Sequence, residues 1–278
     1  MPLKLLRPRP TLFRVSLAPC RTITTSRPLS EEGPVSKNKT ILEVERKFPR
    51  LAVPSLTQHH QQNPKFSSIQ PLPTRQIHDI YYDTPTRQLC SHGAWIRLRD
   101  GKWEAKLRRG GDFVNSRFEE LTGEAEIVRS VRSILGSQYQ STTGDSIGDR
   151  KDRGGRVPNR MEDFGLEKMA EFVTTREAWM CDGEFKVVRD RMDFGHEVGE
   201  VELQAEIEVD VDSDKLLLWR HVKEREMERM DCRVKAFMER YAWAFDWSGG
   251  EPKGKLTAYF EMVKKKRRKA RAGCEGTE

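Results

Sequence analysis

The chain has 278 residues and a formal net charge of +7, with 50 lysines and arginines against 43 aspartates and glutamates. This length can supply one large domain or two small ones with a buried core. The sequence contains no apolar run of about 18 residues, which argues against a membrane span. The cysteines are isolated and lack CxxC or Cys/His spacing, which argues against a disulfide framework and against a zinc site.

The excess of positive charge lies at the two ends of the chain. Residues 1–30 carry basic side chains among short apolar pieces and no acidic side chain, a composition typical of transit peptides. We therefore predict that residues 1–36 are a mitochondrial transit segment or disordered leader, with a cytoplasmic or nuclear location as the alternative. Residues 264–278 begin with a dense basic run, which we predict to be a disordered, solvated tail; a nuclear address or a nucleic-acid patch is the alternative.

The intervening residues 38–263 are predicted to form one α+β domain. Predicted strands cover residues 40–50, 77–83, 93–99, 102–108, 116–121, 174–180, 184–191 and 198–209. Predicted helices cover residues 123–136, 161–172, 213–247 and 256–263. Residues 55–75 are interpreted as a loop or weak helix, and the Ser/Gly/Asp/Arg-rich residues 137–160 as a disordered insertion. Many strands with polar inner faces and helices outside predict an antiparallel sheet closed like a barrel.

A hairpin is predicted around Asp100-Gly101, because this dipeptide favours a type I′ turn. The turn would place Arg99 opposite Lys102, Arg97 opposite Glu104 and Trp95 opposite Lys106, and opposed residues share one face of a sheet. One face of the hairpin is therefore predicted to be charged, while the other is apolar.

The same two-faced pattern recurs on other strands. Glu43, Glu45 and Lys47 alternate with Val44, Arg46 and Phe48. In a β-strand the first three side chains would therefore lie in a row on one face. In residues 198–209 one face carries Glu200, Glu202, Gln204, Glu206 and Glu208. If these faces point into a closed sheet, the buried charges need compensation. Metal ions bound to carboxylates and a polyanion bound to Lys and Arg would provide it.

Several short motifs identify a family resemblance. They are EVERKF at 43–48, YYDTP at 81–85, WIRLR at 95–99, WEAK at 103–106, FEELT at 118–122, VTTREAW at 173–179, DFGHEVGEVE at 193–202 and GKL at 254–256. In this order they resemble the thiamine triphosphatase family of the CYTH superfamily, the triphosphate tunnel metalloenzymes, from about Ile41 to Phe260. The resemblance implies a closed eight-stranded antiparallel β-barrel, or tunnel, with helices packed outside. It also implies hydrolysis of thiamine triphosphate to thiamine diphosphate and phosphate with Mg²⁺ or Mn²⁺.

The resemblance also implies roles for individual residues. The implied metal-binding carboxylates are Glu43, Glu45, Glu120, Asp190, Glu200 and Glu202. The implied phosphate-binding residues are Lys47, Arg97, Arg99, Lys106, Arg176 and Lys255, with Lys235 as the alternative to Lys255. The catalytic set is predicted to be Glu43, Glu45, Lys47, Arg97, Arg99 and Lys106. Val188 stands where the family resemblance would place a further acidic residue.

Two aromatic residues are expected to bind the organic end of the substrate. Trp95 resembles a family tryptophan that approaches the thiazolium ring, and Tyr81 is expected near the same mouth. A cation over an indole is worth about 0.5–2 kcal/mol. The alternative for Trp95 is a ring that only fills the core.

Other functions stay open at this point. The alternatives are an inorganic tripolyphosphatase, an RNA 5′-triphosphatase, a class IV adenylyl cyclase and a non-catalytic polyphosphate or nucleic-acid binder. The expected partner is a small-molecule triphosphate bound by a monomer, without a membrane or a nucleic acid. No covalent intermediate is expected, because phosphoryl transfer depends chiefly on positioning and charge neutralisation.

Overall fold

The computed structural model describes residues 37–57, 62–136, 166–210 and 216–274. The predicted leader and the predicted insertion over 137–160 lie outside the described residues. The strands are β1 (Lys37–Phe48), β2 (Arg50–Leu51), β3 (Ile69–Asp83), β4 (Ala94–Arg99), β5 (Lys102–Gly111), β6 (Asn115–Leu121), β7 (Glu167–Cys181), β8 (Phe185–Met192), β9 (Glu197–Asp210) and β10 (Phe245–Asp246). The helices are α1 (Gln88–Ser91), α2 (Glu124–Leu135), α3 (Leu216–Arg240) and α4 (Lys255–Cys274), with a 3₁₀ turn at Ala242–Ala244.

Eight of the strands form one antiparallel sheet that closes into a ring. Their order is β1-β6-β5-β4-β3-β7-β8-β9, and β1 pairs with β9 as well as with β6. β2 and β10 form a separate two-stranded sheet. The predicted α+β class, with eight antiparallel strands in a ring and helices beside them, is confirmed at this level.

The apolar core lies largely between the ring and the helices. Leu42, Val44 and Phe48 of β1 pack in one buried cluster with residues of α3. That cluster also contains Val234, Phe237, Met238, Tyr241 and Phe245. A second cluster joins α2 to β4 and β5 through residues such as Ile96 and Ile127. Because the apolar faces of these strands are covered by helices, their charged faces are turned into the ring.

The hairpin between β4 and β5 is confirmed in detail. Asp100 and Gly101 have φ values of 47° and 78°, as a type I′ turn requires. The register pairs Arg99 with Lys102, Arg97 with Glu104 and Trp95 with Lys106. The alternation of the sequence therefore gave the correct face for each of these residues.

The predicted loop or weak helix over 55–75 is wrong for its last part, because β3 begins at Ile69. Pro71 and Pro73 argued against a strand here. The structure accommodates them beside a register shift between Leu72 and Arg75 in the pairing with β7. Proline lacks an amide donor, and such irregular positions are where a sheet tolerates it.

The predicted helix over 161–172 is wrong for residues 167–172, which start β7. Ala170 and Phe172 are buried while Glu171 is exposed. This alternation has the period of a strand rather than that of a helix. Residues 161–165 lie outside the described residues.

The C-terminal helices also differ from the prediction. Instead of a helix over 213–247, α3 ends at Arg240, and the following residues enter β10, which pairs with β2. α4 continues past Val263 to Cys274, so the predicted disordered tail is helical over 264–274. Lys, Arg and Ala are strong helix formers, which explains this continuation. Within the described residues, no helix is both long and apolar enough to cross a membrane.

Candidate functional site

The ring encloses a cavity of about 330 Å³. Its lining includes all but one of the predicted site residues: Glu43, Glu45, Lys47, Tyr81, Trp95, Arg97, Arg99, Lys106, Glu120, Arg176, Glu200, Glu202 and Lys255. The exception is Asp190, which is fully buried and contacts the lining residues Arg176 and Lys255. Residues from distant parts of the sequence therefore meet in one enclosed space.

The row on β1 points into this cavity. Glu43, Glu45 and Lys47 are 2%, 4% and 8% exposed. Lys47 donates a short hydrogen bond to Glu45 and lies 3.7 Å from Oε1 of Glu200. The pairing of β1 with β9 places Glu45 opposite Glu202 and Lys47 opposite Glu200. Two carboxylates thus face each other across neighbouring strands, an unfavourable arrangement unless a cation lies between them.

Lys106 is the central cation of this acidic group. Its Nζ contacts Glu43 closely and lies 3.4 Å from Oε2 of Glu45 and 3.3 Å from Oε1 of Glu120. The pKa of Glu43 is nevertheless raised, chiefly by burial. Repulsion by Glu120 and Glu202 adds to this effect, and together they outweigh the attraction of Lys106. The carboxylates exceed what one lysine can neutralise.

Arg97 and Arg99 are held by carboxylates that the sequence analysis did not assign to the site. The guanidinium of Arg97 donates to Oε2 of Glu104 at 3.0 and 2.7 Å and to the Tyr81 hydroxyl at 3.3 Å. Arg99 donates to both carboxylate oxygens of Asp79 at 2.7 and 2.8 Å. Asp79 faces Arg99 across β3 and β4, so the register could have identified it once β3 was placed. These contacts orient both guanidinium groups.

Arg176, Asp190 and Lys255 form a second buried network. Arg176 donates to both oxygens of Asp190 at 2.8 and 2.6 Å, and Nζ of Lys255 lies 2.6 Å from Oδ2 of the same carboxylate. Lys255 is also 3.4 Å from Oε2 of Glu200. Burial alone would raise the pKa of Asp190, but Lys255 and Arg176 hold it below its ordinary value.

Lys255 and Lys235, the two candidates for the last phosphate-binding position, differ in their location. Lys235 lies on α3 with a 60% exposed side chain and an ion pair of 3.7 Å to Glu239, whereas Lys255 lines the cavity. Val188, which stands where an acidic residue was expected, is fully buried. Because this residue is a valine, β8 has no carboxylate at this position.

The two aromatic residues differ in their surroundings. Trp95 lines the cavity and meets the ring of Phe118 edge-on at 5.6 Å. Tyr81 is only 5% exposed and stacks on Phe172, with a ring-to-ring distance of 5.6 Å. Tyr81 therefore supports Arg97 through its hydroxyl rather than standing open at a mouth.

Further cavity residues were not among the predicted site residues. Lys186 lies 2.6 Å from Oε2 of Glu202, and Gln204 donates to Oε2 of Glu43 at 2.7 Å. Phe113 lines the cavity and is 69% exposed. Strand alternation identifies Lys186 and Gln204, but it gives no signal for Phe113, which lies in the turn between β5 and β6.

The carboxylates of the cavity are the side chains that could hold a divalent metal. Among the described residues, no group of three or more His, Cys, Asp or Glu side chains is already arranged around a metal position. The carboxylates are instead paired with lysine and arginine. However, burial and repulsion by Glu200 and Glu43 raise the pKa of Glu45 despite the attraction of Lys47 and Lys106. Lys186 and Arg176 hold the pKa of Glu202 at about 2 against the effect of burial. Crowded oxygen donors of this kind suit Mg²⁺ or Mn²⁺.

The fold and the site together define an eight-stranded antiparallel ring whose interior is lined by paired acidic and basic side chains. The CYTH domain model matches residues 42–229. The chain therefore belongs to the CYTH family.

Similar proteins are found in primates. The chain is 33% identical over 144 residues to a thiamine-triphosphatase of Macaca fascicularis and 32% identical over 144 residues to one of Homo sapiens. Each match covers 48% of this chain and 57% of the relative. The chain thus spans little more than half the length of the curated relatives it matches.

Solved structures resemble the chain more distantly. A candidate adenylate cyclase from Vibrio parahaemolyticus has 18% sequence identity and a TM-score of 0.36, covering 80% of this chain and 97% of that chain. A similarity of this degree says nothing about activity.

Proposed function

We propose that the protein hydrolyses thiamine triphosphate to thiamine diphosphate and phosphate, with Mg²⁺ as the metal and Mn²⁺ as its substitute. Membership of the CYTH family and the similarity to two thiamine-triphosphatases support the proposal. The observation that carries it is the convergence of Lys47, Arg97, Lys106, Arg176 and Lys255 on one enclosed cavity. Such a set of cations matches the several oxygens of a phosphate chain.

The ion pairs of the cavity explain why both a polyanion and a metal are needed. Lys47, Lys106 and Lys255 each contact a buried carboxylate in the free protein. A triphosphate that draws these lysines away would leave buried carboxylates without partners, at a cost of several kcal/mol. A divalent cation bound to the carboxylates would remove that cost. We therefore propose that binding exchanges ion pairs. The lysines exchange carboxylates for phosphate oxygens, and the carboxylates exchange lysines for the divalent cation.

Each side chain then has a definite role. The forks of Arg97 and Arg99 suit bidentate contacts with phosphate oxygens, and the lysines act as point charges. Glu43, Glu45, Glu120, Glu200, Glu202 and Asp190 are the side chains that would hold the metal. When bound, the metal would supply positive charge that offsets the negative charge of the phosphate chain.

Direct attack by water fits the residues around the cavity. Its described lining includes neither histidine nor cysteine, so no ordinary base-activated nucleophile pair is present there. His196 bonds the carbonyl oxygen of Lys253 at 2.9 Å in an exposed position, consistent with a structural role. We therefore propose that an acidic side chain of the cavity orients the attacking water.

The proposal is tested by phosphate release from thiamine triphosphate, tripolyphosphate and ATP, each with Mg²⁺, Mn²⁺ or chelator. The expected result is metal-dependent release with thiamine triphosphate as the best substrate. Glu202→Gln should abolish it, whereas Glu239→Gln, at a 67% exposed side chain on α3, should not. The absence of release from all three substrates would refute the enzymatic function.

Inorganic tripolyphosphate is the second candidate substrate. The observation that favours it is that Lys47, Lys106 and Lys255 line the cavity and would contact the phosphate chain, which both substrates contain. A higher kcat/KM for tripolyphosphate than for thiamine triphosphate would favour this alternative.

The mitochondrial location is a separate proposal, supported by the composition of residues 1–36. Import of the full chain into isolated mitochondria, with loss of import on deleting these residues, tests it. A monomeric state is likewise proposed, and sedimentation analysis tests it.

A further inference from the structure

The guanidinium of Arg108 lies against two aromatic rings beside the cavity. Its Cζ is 5.7 Å from the ring centre of Trp95 and 4.9 Å from that of Phe113. Both distances are within the range of a cation–π contact. Strand alternation puts Arg108 on the same face of β5 as Lys106, and both rings belong to the cavity lining. A cation thus sits where two lining rings can share it.

The surroundings of Arg108 favour this position. Its backbone amide bonds the carbonyl oxygen of Gly93 at 2.7 Å. A Cβ placed on Gly93 would come within 3.2 Å of the Arg108 Cβ and 3.4 Å of its Nε, so the glycine leaves room for the side chain. Within the described residues, the contacts of this guanidinium are with rings rather than with carboxylates. Arg108 therefore differs from the deeper arginines, which are held by Asp79, Glu104 and Asp190.

Burial in the apolar core does not explain the position of Phe113. It is 69% exposed, the largest exposure among the large hydrophobic side chains of the described residues. A phenylalanine left in water gives no burial energy. It makes a cation–π contact with Arg108. This ring at the edge of the cavity is available to a ligand.

We propose that Trp95 and Phe113 form a two-ring cation site, that Arg108 occupies it in the free protein, and that a cationic ring on the organic end of the substrate displaces Arg108. This inference rests on the proposed function and deepens it. A triphosphate with a cationic head must compete with Arg108, whereas tripolyphosphate need not. Arg108 therefore lowers the preference for the substrate with the cationic head over tripolyphosphate, whereas Phe113 raises it.

The test compares kcat/KM for thiamine triphosphate and for tripolyphosphate in matched variants. Arg108→Gln removes the competing cation and should raise the ratio of the two values, mainly by lowering KM for thiamine triphosphate. Phe113→Leu removes one ring and should lower the ratio. A cation–π contact corresponds to about 2- to 30-fold in an equilibrium constant, so a change of about threefold or more is expected in each direction. Arg129→Gln and Trp247→Leu, at exposed positions outside the cavity lining, are the controls and should leave the ratio unchanged.

Calorimetric binding of thiamine diphosphate and of pyrophosphate gives a readout without turnover. Arg108→Gln should tighten binding of thiamine diphosphate relative to pyrophosphate, and Phe113→Leu should weaken it. If Arg108→Gln lowers this preference, or if either variant behaves as its control does, the inference is wrong. If the wild-type protein releases no phosphate from any triphosphate, the proposed function fails, while the calorimetric preference still decides whether the two-ring site exists.

Discussion

Replacing Lys106 by methionine should destabilise the protein strongly, because the change removes the cation shared by the buried Glu43 and Glu45 and the partly buried Glu120. The Lys106 Nζ lies 3.3 Å from Oε1 of Glu120. Two unit charges at this separation attract by about 5 kcal/mol at an effective dielectric constant of about 20. Breaking a buried pair from one side typically costs about 3–5 kcal/mol. For a domain of this size each kcal/mol shifts Tm by about 2–4 °C, so we expect a loss of roughly 6–20 °C.

The loss should depend on pH with a defined sign. Burial, with repulsion by Glu120 and Glu202, raises the pKa of Glu43 above its ordinary 4.5 in the folded protein despite Lys106. The folded state therefore holds this proton more tightly than the unfolded state, and stability falls as the pH rises from 4.5 through the folded pKa. Without Lys106 the rise in pKa is larger. The deficit of the variant should grow with pH above 4.5 and shrink below it.

The assay is thermal unfolding followed by circular dichroism between pH 4 and pH 8, with and without Mg²⁺. The control is Lys223→Met, because Glu119 retains Arg109 at 2.8 Å when Lys223 is removed. The control should lose about 1 kcal/mol or less. Mg²⁺ should restore part of the stability of Lys106→Met. Equal losses in the two variants, or a deficit that does not shrink at low pH, would refute the account of the acidic group.

Two further predictions use matched pairs of variants. A Cβ on Gly199 would lie 2.1 Å from the ring of the buried Phe48, so Gly199→Ala should lower the free energy of unfolding by about 1–3 kcal/mol. Gly110→Ala, whose nearest atom would be 3.5 Å away, should change it by less than about 0.5 kcal/mol; similar urea midpoints would contradict this. Lys255→Ala should lower kcat/KM for triphosphate hydrolysis about 100-fold or more, as for loss of a charge-stabilising group, while Lys235→Ala should not change it. Comparable phosphate-release rates in the two lysine variants would remove Lys255 from the site.

The sequence predicted the interior of the ring well, because alternation along a strand determines which face each residue occupies. The Asp100-Gly101 turn sets the register, and the register alone places Arg97, Glu104 and Lys106 on one side of the hairpin. Glu43, Glu45 and Lys47 followed from the same rule. Their assignment to one cavity needed closure of the sheet, which the strand pattern predicted and the family resemblance also implied.

The sequence failed where local signals competed with long-range pairing. Pro71 and Pro73 favoured a loop, yet pairing with β7 keeps these residues in β3. The basic run after Val263 was typical of a disordered tail, yet helix propensity continues α4 to Cys274.

Other features of the site depend on proximity in three dimensions. Asp79 was missed because its role depends on Arg99, twenty residues later. The position of Phe113 depends on the turn between β5 and β6, which has no periodic pattern to reveal its direction.

The central claim is that a triphosphate chain binds inside the ring, on the charged inner faces of the strands. A crystal structure of the protein soaked with tripolyphosphate and Mg²⁺ tests it most directly. We predict density for the phosphate chain within contact distance of Lys47, Lys106 and Arg176. Density only on the outer surface, for example along the exposed basic residues of α4, would contradict the claim.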